Sequence, residues 1–401
     1  MRQENTSVFP QPGAYSPRVI RVWSIGAVVV GFLAALAVTV RAGLGRSDQW
    51  ILGDWLIDYS AGFTRRGLLG EAVRRLELGL GVDRILVTTA VQVSVLVALM
   101  ALVGVLVFSH QRGLTTVLLV ASPASVLFFL NPLGTMRKEI LLWLLFAAVL
   151  VWSRSKRPSA GKIIPWVVAG AFPLLVLIHE AMLFYAGFVA VLLWLLVTEG
   201  SVHKTQALWA GAVGGVLTTV AGLMSLLWPT RPNVGAEMCA NLVASDYSDA
   251  LCSGAIRFLD QDAAFSVTRV VDAVTTGNYL GVYLPVILFS SLPFFFVRWS
   301  RPMAIGLAAS IAMTIPLFVV AIDWGRWIVI SVWLVTLLVL RFDGTKPVTV
   351  IPINQTKQRL FGLASHIGVT SFATIWSVPH CCELRIGFGL IDRLTDLMLL
   401  L

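Results

Sequence analysis

Two carboxylates stand ahead of a pair of arginines in the first polar stretch of the chain. Asp54 and Asp58 precede Arg65-Arg66 in and before the segment DYSAGFTRRGLLGE (58–71), and Gly62 and Gly67 flank the pair. A guanidinium is a planar fork of N–H donors that matches the oxygens of a phosphate or pyrophosphate, and a carboxylate accepts a proton or holds a metal. The arrangement suits a phosphate-bearing substrate held by Arg65 and Arg66, with Asp58 or Asp54 as base or metal ligand. The plainer reading is an amphipathic helix that snorkels its arginines to lipid headgroups, and it fits Arg74 and Arg75 better.

Three shorter segments carry chemistry of the same kind. NPLGTMRKE (131–139) precedes an apolar run of only thirteen residues, 140–152. At about 1.5 Å per residue such a run covers about 20 Å of a roughly 30 Å bilayer core. Arg137, Lys138 and Glu139 are therefore drawn to the membrane interface or below it, where ionisable groups usually mark a site. With Thr135 as a helix cap, free N–H groups and two cations would face one place, an anion site. Two apolar runs are separated by nothing except His179-Glu180. Their turn must be tight and embedded, or one run must be re-entrant, and Glu180 with His179 becomes a candidate acid/base pair or proton relay. DWGRW (323–327) sets Asp323 and Arg326 at ion-pair spacing, with Trp324 and Trp327 suited to an interfacial belt or to stacking on a sugar face.

The elements that must position these residues are membrane helices. Hydrophobic residues make up 57% of the 401 positions and charged residues 13%. The apolar runs give an all-α, polytopic integral membrane protein with about eleven expected spans: 22–40, 85–108, 113–130, 140–152, 163–178, 181–197, 207–228, 279–296, 303–322, 328–340 and 361–378. Residues 1–21 read as a short cytoplasmic arm, 22–378 as one transmembrane domain, and 379–401 as an amphipathic tail on the outer side. Arg18, Arg21, Arg154, Lys156, Arg157, Lys162, Arg298 and Arg301 lie in short connections, which the positive-inside rule assigns to the cytoplasm. With that choice only Glu4, Glu199 and Asp343 of the 21 acids fall inside, and every segment singled out above falls outside. The formal charge of +9 is then explained by insertion and anionic headgroups rather than nucleic acid, for which no motif exists. The first span resembles a signal core but runs longer, so it is expected to remain as an anchor.

Two outer loops are long, about 41–84 and 229–278. In the first, Leu68, Leu69, Val73, Leu76 and Leu80 recur at helical spacing, with Glu71 and Arg75 at i,i+4, which predicts an interfacial helix over 67–80. The second has Arg257, Arg269 and several acids, enough for a small lid. Its Cys239 and Cys252 are spaced to form either a bridge or two free thiols, and the adjacent Cys381 and Cys382 resemble no metal site. Phosphate-loop, dinucleotide, zinc and Ser/His/Asp signatures are lacking.

The many spans, the long acidic first outer loop with its interfacial helix, and the second long loop between spans seven and eight resemble the GT-C class of integral-membrane glycosyltransferases. The DYSAGFTRRGLLGE, RKE and HE elements also resemble those of membrane proteins of bacterial envelope-polysaccharide assembly, including repeat-unit polymerases. The resemblance implies an enzyme of the bacterial cytoplasmic membrane, N-terminus inside, that transfers sugar on the outer face. Its implied partners are a polyprenyl-(pyro)phosphate-linked sugar donor, a glycan acceptor and the bilayer. It implies Asp58 or Asp54 as the base or metal-linked carboxylate, and Arg65, Arg66, Arg137 and Lys138 on phosphate. The class pattern of adjacent acids is missing from the first loop, so a divalent metal ion is left open as a cofactor. The rival expectation is a secondary transporter or flippase of lipid-linked glycans, with His179, Glu180, Asp323 and Arg326 as its relay. Under the transferase reading Asp58→Asn, Glu180→Gln and Arg66→Ala each abolish product without lowering protein level.

Overall fold

The computed structural model describes residues 17–109, 114–131, 136–155, 157, 159–227, 233–297, 299–342, 367–379, 392 and 395. Among these the secondary structure is entirely helical. The α-helices are α1 (Pro17–Gly45), α2 (Leu68–Leu80), α3 (Arg84–Ser109), α4 (Leu114–Val120), α5 (Ile140–Trp152), α6 (Ala160–Ile178), α7 (Ala186–Thr198), α8 (Lys204–Leu227), α9 (Val234–Ala244), α10 (Ala263–Thr275), α11 (Tyr279–Ser291), α12 (Arg301–Val320) and α13 (Trp324–Phe342).

Eight helical stretches among the described residues are long and apolar enough to cross a bilayer: Val22–Gly45, Arg84–Ser109, Ala160–Ile178, Glu180–Thr198, Lys204–Leu227, Tyr279–Phe296, Arg301–Val320 and Trp324–Phe342. The protein is a multi-pass membrane protein. The other three expected spans fare differently. Residues 113–130 are not one helix: α4 stops at Val120 and a 3-10 turn, Val126–Leu130, follows. Pro123 is the physical cause, since it disfavours helical geometry at Ser122 and donates no N–H; the Ser122 hydroxyl accepts from the Ala124 N–H instead. The run 140–152 is a helix of 13 residues, short as expected. Of 361–378, residues 367–374 are helical and the first six lie outside the described residues. Thr135, Cys381, Cys382, Arg298, residues 1–16 of the N-terminal arm and nearly all of the C-terminal tail also lie outside them; residues 17–21 of the arm are the start of α1.

Burial separates protein-facing from lipid-facing helices. In α13, 83% of the apolar window is buried, making it the central helix, against 33% in α8. Leu208, Trp209, Val216 and Leu223 of α8 are exposed, as they must be where hydrocarbon is the solvent. α6 packs along α8, α1 along α3, and α12 along α7.

The two long loops meet at one end of the bundle, called here the site end. The predicted interfacial helix is α2, whose Gly70 and Val73 are buried while Leu76, Leu78 and Leu80 are exposed. Gly70 is required by a close approach, because a Cβ there would run into the Ile57 carbonyl. Cys239 and Cys252 form a disulfide that ties α9 to the 3-10 turn Asp249–Cys252. The second loop rests on the first through Ala255 N–H to the Gln49 carbonyl at 3.3 Å and Arg65 to the Phe258 and Gln261 carbonyls at 3.3 and 3.2 Å.

Candidate functional site

Four separate stretches deliver charge to the site end, and backbone bonds fix their register. The first loop is pinned by the Trp55 indole N–H donating to the Met136 carbonyl at 2.7 Å and by Gln92 donating to the Ile51 carbonyl at 2.7 Å. Lys138, fully buried, returns the link by donating to the Arg66 carbonyl at 2.7 Å. Arg66 and Met136, the two residues at these joints, both hold left-handed backbone, φ 68° and 58°. Such a conformation costs a side-chain-bearing residue about 1–3 kcal/mol and persists where its surroundings over-determine it, which is common at functional sites.

α6 and the stretch leading to α7 turn back on a single extended residue. His179, φ −157° and ψ 113°, ends α6 and starts the 3-10 turn Glu180–Tyr185. The turn is tight, as expected from sequence, and its backbone is satisfied locally: the His179 N–H donates to the Leu175 carbonyl, and the Met182 N–H donates to the His179 carbonyl. The His179 Nδ1 accepts from the Ala181 N–H at 3.2 Å, which leaves the proton on Nε2. Nε2 faces Glu139 Oε1 at 3.3 Å.

A chain of charged and polar groups runs through this turn. Arg66 straddles Glu180, its Nε 2.9 Å from both carboxylate oxygens and its Nη2 2.5 Å from Oε1. Glu180 lies 3.7 Å from His179 Nδ1. Beyond His179, Glu139 accepts from Arg326 Nη2, and Arg326 Nη1 donates to Asp323 at 2.6 Å. Arg137 Nε stands 3.6 Å from Asp54, and its guanidinium lies over the Trp50 ring at 5.1 Å. Burial pushes the Asp54 carboxyl up, but Arg137 and Lys138 outweigh it and hold the group below the ordinary carboxylate range.

A cavity of about 360 Å³ opens beside this chain. Arg65, Arg66, Arg137 and Arg326 reach its wall, joined by Arg269 of α10, against only Glu180 and Asp323 as acids. Glu180 already offsets Arg66, Asp54 stands against Arg137, and Asp323 with Glu139 offsets Arg326, so the surplus positive charge belongs to Arg65 and Arg269. Arg137 is paired but incompletely satisfied. It is 5% exposed, and its Nε and Nη1 have no hydrogen-bond partner. A buried donor left unmade costs about 1–3 kcal/mol, more when charged; both nitrogens are shielded from the cavity, so an anion there would meet the charge of Arg137 at the wall rather than these two donors. Trp50, Phe258 and Trp327 supply flat apolar wall, and the rim is apolar and open: Leu226 at the end of α8 is 51% exposed, Val320 at the end of α12 40%, and Phe265 on α10 41%. The α8 and α12 ends are separated by the Glu180–Tyr185 turn, which packs against both.

The residues expected from sequence thus divide. Arg65, Arg66, Arg137, Glu180, Asp323 and Arg326 meet at one cavity; Asp54, Lys138 and His179 are fully buried behind it, and none of the three lines it. Asp58 and Trp324 are placed elsewhere. Trp324 sits among Tyr279, Tyr283 and Phe318 and donates its indole N–H to the Phe318 carbonyl, so Trp327 is the tryptophan at the cavity. Asp58 is fully buried under α2, accepting from the Ser60 N–H at 2.8 Å and from Arg84 at 3.0 Å. Arg84 also binds Glu77, which accepts from the Tyr247 hydroxyl at 2.5 Å. Beside them the Glu71 carboxyl is pushed up by burial yet held down to about 2 by hydrogen bonds from Arg74 and Arg75. This network latches α2 to α3 and the second loop. Asp58→Asn is therefore expected to destabilise the protein by about 1.5–3 kcal/mol, the worth of one hydrogen bond between charged groups. A lowered unfolding temperature with an unchanged donor KM in the surviving protein is the expected result.

Arg269, Trp50, Phe258 and Phe265 were not singled out as site residues by sequence reasoning. The i,i+4 spacing of Phe265 and Arg269 was a usable signal, since it puts both on one face of α10. Among the described residues no three His, Cys, Asp or Glu side chains converge as a metal site.

A polytopic helical bundle with an arginine-lined cavity at one end of its helices defines the class: a multi-pass membrane protein. Residues 23–255 match the family model described as "Uncharacterised membrane protein Rv1490", and the chain belongs to that family. The match spans Asp54 through Glu180 and stops before Arg269, Asp323 and Arg326. No curated protein and no solved structure matches the chain.

Proposed function

We propose that the protein is a membrane glycosyltransferase of the GT-C kind, taking a polyprenyl-(pyro)phosphate-linked sugar at the outer face of a bacterial cytoplasmic membrane, N-terminus inside, in cell-envelope glycan synthesis. The observation that carries this reading is the convergence of five arginines, Arg65, Arg66, Arg137, Arg269 and Arg326, on one cavity whose rim is exposed apolar side chains. A lipid-linked phosphate needs both features at once: cations for the headgroup and an apolar gap for the chain.

In this reading Arg65, Arg137 and Arg269 hold the phosphate, and Trp50, Phe258 and Trp327 flank the sugar. Glu180, on the cavity wall, takes the proton from the acceptor hydroxyl; the new bond forms from that oxygen to the anomeric carbon, and the anomeric bond to phosphate breaks. The leaving phosphate carries away the bonding pair as an anion, which the guanidinium groups stabilise. Asp54, Lys138, His179 and Glu139 hold the arginines and Glu180 in place from behind. No step is routed through a metal ion.

The test is purified protein in liposomes, given polyprenyl-phosphate-linked and polyprenyl-pyrophosphate-linked sugars with a glycan acceptor, with and without divalent metal, while free lipid phosphate is followed. Acceptor-dependent release is expected. Movement of the intact sugar-lipid across the bilayer without release would overturn the transferase reading in favour of a flippase.

A further inference from the structure

A second polar cavity, of about 570 Å³, lies at the opposite end of the bundle. α6 runs from this cavity at Gly161 to the first site at His179; its 19 residues separate the two by about 28 Å at 1.5 Å per residue. Its volume is in the usual range of small-molecule sites, roughly 300–1,000 Å³.

Three arginines and one glutamate line it. Arg341, with its side chain 10% exposed, forks onto Glu199, and its Nε has no hydrogen-bond partner. Arg154 gives its donors to neutral acceptors, the Ser109 hydroxyl and the Leu340 carbonyl. Arg157 is exposed at the wall and meets no carboxylate among the described residues. The single acid is therefore consumed by one arginine and two cations are left without a counter-charge. The N-terminal ends of α6 and α8, with His203 just before the latter, abut the same space, as do the C-terminal ends of α3, α5, α7 and α13, so the helix dipoles do not supply the positive character and the arginine side chains do. Membrane insertion explains why basic residues gather on this side, but it requires only that they lie in short loops. It does not bring residues from α3, the α5–α6 connection, the α7–α8 connection and α13 around one space.

We infer that this cavity binds a phosphate group at the face opposite the first site, carried either by an anionic phospholipid headgroup or by a soluble diphosphate. Two arginines without counter-ions beside a third that is already paired offer the forked donors that such a group requires. The inference is independent of the transferase reading, since no residue is shared.

Native mass spectrometry of the full chain with phosphatidylglycerol or phosphatidylcholine, and calorimetric titration of the detergent-solubilised protein with inorganic pyrophosphate, distinguish the two sources. Phosphatidylglycerol is expected to be retained at least 10-fold over phosphatidylcholine if the source is lipid; pyrophosphate binding without that preference identifies a soluble one. In either arm Arg154→Ala and Arg157→Ala should each weaken binding by about 10-fold, while Lys162→Ala, which removes an exposed charge outside the cavity, leaves it unchanged. Arg157 is exposed, so its variant folds whatever Arg154→Ala does. Binding of neither probe, or equal loss in Lys162→Ala, would overturn the proposal and reduce the cluster to diffuse surface charge.

Discussion

Arg137→Lys is expected to lower kcat/KM for a lipid-phosphate sugar donor by about 10- to 100-fold, matching the roughly 1.5–3 kcal/mol of a hydrogen bond to a charged group. Lysine keeps the positive charge that Asp54 needs, 3.6 Å from the present guanidinium, so the buried carboxylate is not stranded. What it loses is the planar fork at the cavity wall and the face stacked on Trp50. The loss should fall on donor KM, with the unfolding temperature close to wild type. Arg137→Ala would not separate these effects, because it removes the counter-charge of Asp54 together with the donor. An Arg137→Lys protein with wild-type donor KM would show that the guanidinium never meets a phosphate.

How much of this was legible in the sequence depends on how local the cause was. The helical class, the lipid-facing spans and α2 follow from apolar spacing, which acts within a few residues. The tight turn at His179-Glu180 was legible for the same reason: two apolar runs with no loop residues between them leave a tight turn or a re-entrant run. The break in 113–130 had a visible signal in Ser122-Pro123, but the run was long and apolar enough to outweigh it as a span. Asp58 and Asp54 are the opposite case. Four residues apart in one loop, they read as candidates for one role with Asp58 ahead, and only tertiary structure gives Asp58 to Arg84 and Asp54 to Arg137. Trp324 and Trp327 are likewise three apart on a helix; which of them meets the cavity depends on where α11 supplies Tyr279 and Tyr283 to enclose its neighbour. For Arg269 the i,i+4 spacing with Phe265 marks a shared face of α10, but that this face meets the site depends on α10 packing against α12.

Glu180→Gln is expected to reduce kcat by about 10²- to 10⁴-fold, the range of general acid/base contributions, while donor KM holds or falls. The two directions arise from one contact. Glu180 now occupies Arg66 through three close approaches, so the neutral amide loses the counter-charge and leaves that guanidinium freer to meet a phosphate. Donor binding is then kept or tightened while the proton acceptor is lost. A purely structural Glu180 gives the reverse pattern, because a displaced Arg66 would raise KM and leave turnover of bound donor intact. Glu180→Asp separates the cases further: it retains the carboxylate but withdraws it by one methylene, so a base role predicts partial kcat with a pH profile still governed by a carboxylate. His179 and Glu139 enter this argument only as supports. Their contacts fix the imidazole between two acids and engage Arg326 on Glu139, so that Arg66 is the guanidinium bound directly to the base.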